Sequence, residues 1–209
     1  MNEQHYLTPL FEPRSVAIVG ATEREHSLGN VLVRNMLEAG FKGKLFAVNP
    51  KYDQVFGVPC YKSVEDIPQR LDLVVITTKA DRVPAVVDAC GRAGTKAAVV
   101  IPSGFADAGP RGKMLEKNTV ENARRHRIRL LGPNCLGVLR PELGLNASFA
   151  RGGAIKGSIG LISQSGALCS AILDWARPNN VGFSSVISLG TSVDVDFGEA
   201  LEYMVSDSR

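Results

Sequence analysis

Cysteine is scarce and scattered: Cys60, Cys90, Cys135 and Cys169 lie far apart, with no CxxC pair. That spacing excludes a recognisable zinc site and gives no disulfide framework, so no metal is expected. With no signal peptide in view, it predicts free thiols in a reducing cytoplasm. Long hydrophobic runs are missing too. The longest, "LDLVVI" (71–76) and "KAAVVI" (96–101), are strand-sized, well short of the roughly 20 residues that span a membrane, and no membrane partner is expected. Charge of one sign is also lacking, since 24 Lys and Arg against 21 Asp and Glu leave a net +3. That is no footprint for nucleic acid. The one dense basic run, "RRHRIR" (124–129), reads as the close of a helix, where cations suit the dipole. What remains, 44% hydrophobic and 22% charged residues, is the balance of an ordinary soluble globular protein.

Short β-branched runs alternate with helical stretches over the first two-thirds of the chain. Strands are predicted at 15–20, 44–50, 71–78, 96–102 and 128–133. Helices fall between them, at 28–40 with Gly40 as the stop, from 83 to 94 with Pro84 in the first turn, and at about 110–126. "SVEDIP" (63–68) offers Ser63 as the cap of a short helical turn. The strands are continuous apolar runs rather than alternating ones, which indicates a parallel sheet covered on both faces. Repeated strand–helix units of this length predict an α/β, Rossmann-like doubly wound domain over residues 1–132, with ligand chemistry at the carboxyl ends of its strands. Residues 133–157, rich in Gly, Pro and Asn, read as loop and linker with room for a short hairpin. The pattern restarts with strands at 158–163 and 183–190 and helices at 166–179 and 196–207. Two such units are too few to cover both faces of a sheet, so residues 158–209 read as the truncated start of a second domain in a longer protein.

The first strand runs into Gly20-Ala21-Thr22 and then a helix, which places free N–H groups where phosphate binds. A dinucleotide fingerprint would read GxGxxG, with an acid at the end of the second strand for the ribose hydroxyls. Here Thr22 takes the second glycine position and the turn stretches on to Ser27-Leu28-Gly29. The second strand ends in "VNPK", so Lys51 stands where the acid belongs. A lysine there favours a phosphorylated ribose. An NAD(H)-binding oxidoreductase or redox-sensing module is the alternative, as is a tight turn with no ligand, but Thr22 and the missing acid weigh against NAD.

"VAIVGATEREHSLGN", "VNPKYDQVFGVPCYKSVEDIP", "IPSGFAD", "LLGPNCLGV" and "LISQSGAL" occur in this order, and together they resemble the NDP-forming acyl-CoA synthetases. The resemblance covers practically the whole chain and implies a CoA-binding domain of the succinyl-CoA synthetase α type, followed by the first part of a flavodoxin-like ligase domain. It implies CoA or acetyl-CoA as ligand, held by the first turn, by Asn49 and Pro50, and by Lys51. Thr77, Thr78 and Lys79 leave the third strand at the same edge, with solvated surface the competing reading for Lys79. Ser103 and Gly104 lie in the loop that the family places near acyl transfer, where some relatives carry glutamate at the position of Ser103. Its absence puts acid–base work by that loop in doubt. Asn134 and Cys135 would lie beside the thiol end of CoA, without nucleophilic duty for Cys135, which has no adjacent histidine. Ser163, Gln164, Ser165 and Gly166 would form the helix end that holds a phosphohistidine's phosphate during transfer.

The resemblance also implies what is missing. The family's phosphohistidine has no counterpart in His5, His26 or His126, and no nucleotide-grasp domain is present. The expectation is CoA binding without turnover, no catalytic residue in these 209 residues, and partner ligase, ATP-grasp and further domains elsewhere, with a homo-oligomer open. "LGLNASFA", "AILDWA" and "VGFSSVISLGTSVDVDFGEALEYMVSDS" further resemble a bacterial subgroup fused to GNAT-type protein lysine acetyltransferases. That resemblance implies that in some members of the subgroup the region serves as a CoA or acetyl-CoA sensor.

Overall fold

The computed structural model describes residues 5–207. Residues 1–4 and 208–209, the outermost of the two expected domains, lie outside the described residues. A short helix α1 (Thr8–Phe11) leads into β1 (Ser15–Val19), α2 (Leu28–Glu38), β2 (Lys44–Val48) and a small hairpin of β3 (Gln54–Val55) and β4 (Val58–Tyr61). Then come β5 (Leu73–Ile76), α3 (Val83–Arg92), β6 (Ala97–Val100), α4 (Pro110–His126) and β7 (Arg129–Leu131). These strands form one sheet in the order β3-β4-β2-β1-β5-β6-β7, parallel except for the edge hairpin.

The apolar runs explain the sheet. Every residue of β1, β5 and β6 is buried, and successive side chains point to opposite faces. Val16, Ile18, Val75 and Val99 pack with Leu32, Val33 and Met36 of α2 on one side. Ala17, Val19, Val74 and Val100 meet Val83, Val87 and Cys90 of α3 on the other. Helix boundaries follow their caps. Ser27 accepts from Asn30 N and opens α2, and Gly40 closes it with φ +71°. Pro110 starts α4, and Arg124, Arg125 and His126 end it at the negative pole of its dipole. Ser63 caps the predicted turn after β4.

A second sheet has the order β10-β11-β8-β9, built from β8 (Gly137–Arg140), β9 (Leu145–Ser148), β10 (Lys156–Ser163) and β11 (Phe183–Ser188). Helices α5 (Gly166–Ala176) and α6 (Phe197–Ser206) follow β10 and β11. The stretch 133–157, read from sequence as loop and linker with room for a short hairpin, does contain one, but it is no mere linker. Its hairpin β8–β9 is part of the second sheet, with β8 antiparallel to β11. Glycine and asparagine disguise it, but Val138, Leu139, Leu145 and Ala147 are all buried. The β3–β4 hairpin is a second difference. It turns on Phe56 and Gly57, both at positive φ, the conformation of a two-residue hairpin turn. Among the described residues no helix is long and apolar enough to cross a membrane.

Candidate functional site

The carboxyl ends of β1, β2, β4 and β5 open into a cleft of about 470 Å³. Gly20 sits at its base with φ +94°, and a Cβ there would lie 2.5 Å from the Thr77 hydroxyl. The turn is closed from below by Gly29 in the first turn of α2, where a Cβ would come within 2.0 Å of the Gly20 carbonyl oxygen. The two glycines let the helix N-terminus press against the strand end, leaving the backbone open toward the cleft. Thr77 donates to Val19 O at 2.9 Å, so it braces the turn. Asn49 reaches back, its Nδ2 donating to Ala21 O at 2.8 Å, and its Oδ1 accepts from Lys51 N at 3.0 Å. Those bonds lock the two loops together.

Six of the residues singled out from sequence line this cleft: Gly20, Thr22, Asn49, Pro50, Lys51 and Thr78. Ala21 is buried beneath it, and Ser27 caps α2, donating to Arg24 O at 2.7 Å. Four residues that sequence reasoning passed over also line it. Tyr52 exchanges a hydrogen bond with the Thr22 hydroxyl at 3.1 Å, and Arg24, Lys62 and Arg82 add three cations to Lys51. No Asp or Glu lines the cleft. None of these four cations is in an ion pair among the described residues, whereas Arg92, Arg129, Arg140 and Lys156 all are. Unpaired cations around a concave surface favour a polyanion. Val48, Val64, Val86 and Ala89 supply an apolar wall, the mixture of apolar body and few polar groups that holds a nucleotide. The Thr78 hydroxyl is buried without a hydrogen-bond partner, at the cleft where a phosphate or hydroxyl of a ligand would supply one.

The remaining candidates lie further along the same sheet edge. Lys79 and Gly104 line a depression of about 260 Å³ beside the start of α4, while Ser103 is exposed on the loop after β6. Asn134, Cys135, Gln164, Ser165 and Gly166 line a third hollow of about 440 Å³, where the loop after β7 meets the N-terminus of α5. Asn134 adopts φ +57°, and its N–H donates to Pro102 O at 3.1 Å, joining that loop to the one after β6. Ser165 caps α5, accepting from Leu168 N at 3.2 Å, and its own N–H donates to the Ser163 hydroxyl. Cys135 is buried, which pushes its thiol up to about 12. At neutral pH it is a protonated, unreactive side chain.

The fold and the cleft together are those of a Rossmann-like α/β domain whose strand-end cleft suits a phosphate-rich ligand. Comparison with known proteins makes this particular. The chain belongs to the CoA binding domain family, whose model matches residues 14–141, and a succinyl-CoA ligase like flavodoxin domain matches residues 156–209. It is 45% identical to acetate–CoA ligase (ADP-forming) I of Archaeoglobus fulgidus, over 95% of this chain and 29% of that protein. It is 39% identical to the α subunit of acetate–CoA ligase (ADP-forming) I of Pyrococcus furiosus, over 97% and 45%. The solved acetyl-coenzyme A synthetase 1 of Ca. Korarchaeum cryptofilum, in complex with phosphate and ADP, superposes with a TM-score of 0.93 at 40% identity. That match covers 97% of this chain and 43% of the other. The chain thus spans less than half the length of these relatives. All three are named as ligases or synthetases, and the kinship to acetyltransferase fusions that the sequence suggested finds no support among them.

Proposed function

We propose that this chain is the CoA-binding region of an ADP-forming acid–CoA ligase, and that CoA is bound as a substrate. The observation that carries the reading is the cleft with Arg24, Lys51, Lys62 and Arg82 and no carboxylate. A nicotinamide dinucleotide calls for an acid at the end of β2; a CoA ribose carries a phosphate and calls for a cation there. Lys51 fills that role. The glycine turn and the start of α2 take the diphosphate through backbone N–H groups, and Thr78 donates its orphan hydroxyl. The pantetheine arm then runs along the sheet edge past β5, β6 and β7, crossing strand ends about 5 Å apart. Lys79 and Gly104 flank its path, Ser103 stands on the adjoining loop, and Asn134 and Cys135 lie at its thiol end. There Ser163, Gln164, Ser165 and Gly166 present the α5 N-terminus to a phosphate delivered from another part of the ligase. The chain binds and positions CoA, and the phosphate-carrying histidine comes from elsewhere.

Isothermal titration tests this. CoA binds, and Lys51→Ala weakens CoA by about tenfold, one charge-assisted contact, with a smaller effect on dephospho-CoA. Absence of heat with millimolar CoA, or enhanced NADH fluorescence on mixing, defeats the reading.

A further inference from the structure

The first sheet ends at β7, and residues 189–195, which follow β11, lie along that open edge. Thr191 N donates to Pro133 O at 2.8 Å, Val193 N to Gly132 O at 3.3 Å and Val195 N to Leu130 O at 3.1 Å. The Asp194 carboxylate accepts from Leu130 N at 2.7 Å. Two residues before Thr191, Leu189 N donates to Ser163 O at 2.8 Å, where β10 runs into the start of α5. The segment is therefore bonded on one side to the loop that carries Asn134 and on the other to the turn that carries Gln164 and Ser165. Gly190 stands between these bonds at φ +59°, and a Cβ there would lie 2.2 Å from Pro133 O and 2.6 Å from Asn134 O. Ser192, at φ +57°, closes the turn by donating its hydroxyl to Val195 O at 2.8 Å. Asn134, Cys135, Gln164 and Ser165 line the hollow between the two walls, and residues 189–195 do not; they bond to the walls from behind.

Resting on the CoA reading, we propose that residues 189–195 are a strap that positions the thiol end of CoA, with Gly190 its critical residue. The strap touches no ligand. It fixes the spacing between the Asn134 loop, which leaves the first sheet, and the α5 N-terminus, which belongs to the second, so that the hollow keeps the width that the end of the arm requires. Glycine is needed at 190 because the atoms a methyl group would meet are backbone carbonyl oxygens, which cannot swing aside, and because its φ is positive. The strap's bonds run to residues 130–133 and 163, not to the residues that line the cleft at the ends of β1, β2, β4 and β5. It therefore governs the arm of the ligand and leaves the adenosine half alone.

Titration of CoA and of adenosine 3′,5′-bisphosphate, which keeps the ribose phosphate but has no arm, separates positioning from folding. Gly190→Ala weakens CoA by about tenfold, the loss of a well-placed contact at the arm, and leaves the bisphosphate within about twofold. Ser192→Ala removes one hydroxyl and adds no bulk, so it keeps the test open should Gly190→Ala not fold. Its loss is about threefold for CoA, again with the bisphosphate unmoved. Circular dichroism and urea melts check that each variant is folded at the titration temperature. Equal losses for both ligands, or an unchanged CoA affinity in the folded variants, overturn the strap while leaving the CoA reading intact. A wild type that binds CoA no more tightly than the bisphosphate overturns it too, since the arm then contributes nothing. A wild type that takes up neither ligand overturns the CoA reading and this inference with it.

Discussion

At the scale of single residues, two glycines do what no other side chain allows. Gly20 needs positive φ, and Gly29 needs the space that a methyl group would take from the Gly20 carbonyl. Gly29 was legible in the sequence as part of a stretched phosphate loop, but its contact with Gly20 was not, because it depends on how closely α2 meets β1. Gly29→Ala puts a methyl carbon against backbone, which cannot swing aside. The expected cost is about 1–3 kcal/mol, as for overpacking, measured by urea unfolding, with CoA titration losing its heat in the folded variant. Lys51 was also legible, as a cation where an acid was due. Arg24, Lys62 and Arg82 were not. They sit in loops whose sequences resemble any solvated surface, and only the sheet order brings them together.

At the scale of elements, the helices and the central strands followed their sequence signals closely. Continuous apolar runs gave β1, β5 and β6, and α2 and α4 lie within two residues of their expected bounds. The edge hairpin β3–β4 did not announce itself. β3 has two residues and β4 contains Pro59, too little for a period of two to register. Helices α3 and α4 are fastened at the surface by Asp88, which accepts from His126 Nε2 at 2.8 Å and pairs with Arg92, while Arg92 also meets Glu65 of the turn after β4. The hydrogen bond from His126, with the Arg92 charge adding to it, holds the Asp88 carboxyl below its ordinary range, and Arg92 does the same for Glu65. A depressed carboxylate stabilises the fold above the unfolded-state value of about 4, and that contribution is lost as pH falls through the folded-state value. Asp88→Asn is therefore less stable than wild type at pH 6, and the gap narrows at pH 3 in paired urea melts. A gap that widens in acid contradicts the sign.

At the scale of the molecule, the two sheets are joined by charge as well as by chain. Arg129 at the start of β7 donates to Asp194 at 2.9 Å and to Glu199 of α6 at 2.9 Å, and its guanidinium lies 5.2 Å from the centre of the Tyr6 ring. Tyr6 donates to Glu199 in turn, at 3.0 Å. Burial works against the arginine's charge, but the two carboxylates outweigh it and raise its pKa further. This junction lies at the opposite end of β7 from the loop that carries Asn134. It holds the first sheet against α6. Arg129→Ala leaves two half-buried carboxylates unpaired, and the expected loss is about 1–3 kcal/mol in urea melts. Arg129→Lys recovers less than half of it, since a lysine cannot reach both partners with a planar fork.

The sequence by itself determined the layered α/β architecture, the strand–glycine–helix form of the first turn and the cation at the end of β2. Each rests on local information: apolar runs, caps and the spacing of a few glycines over short stretches of chain. Tertiary structure alone decided which distant loops share a cleft, that three further cations join Lys51 there, and that residues 137–148 belong to the second sheet. Those outcomes depend on strand order, and strand order comes from long-range packing that leaves no periodic trace in the residues it brings together.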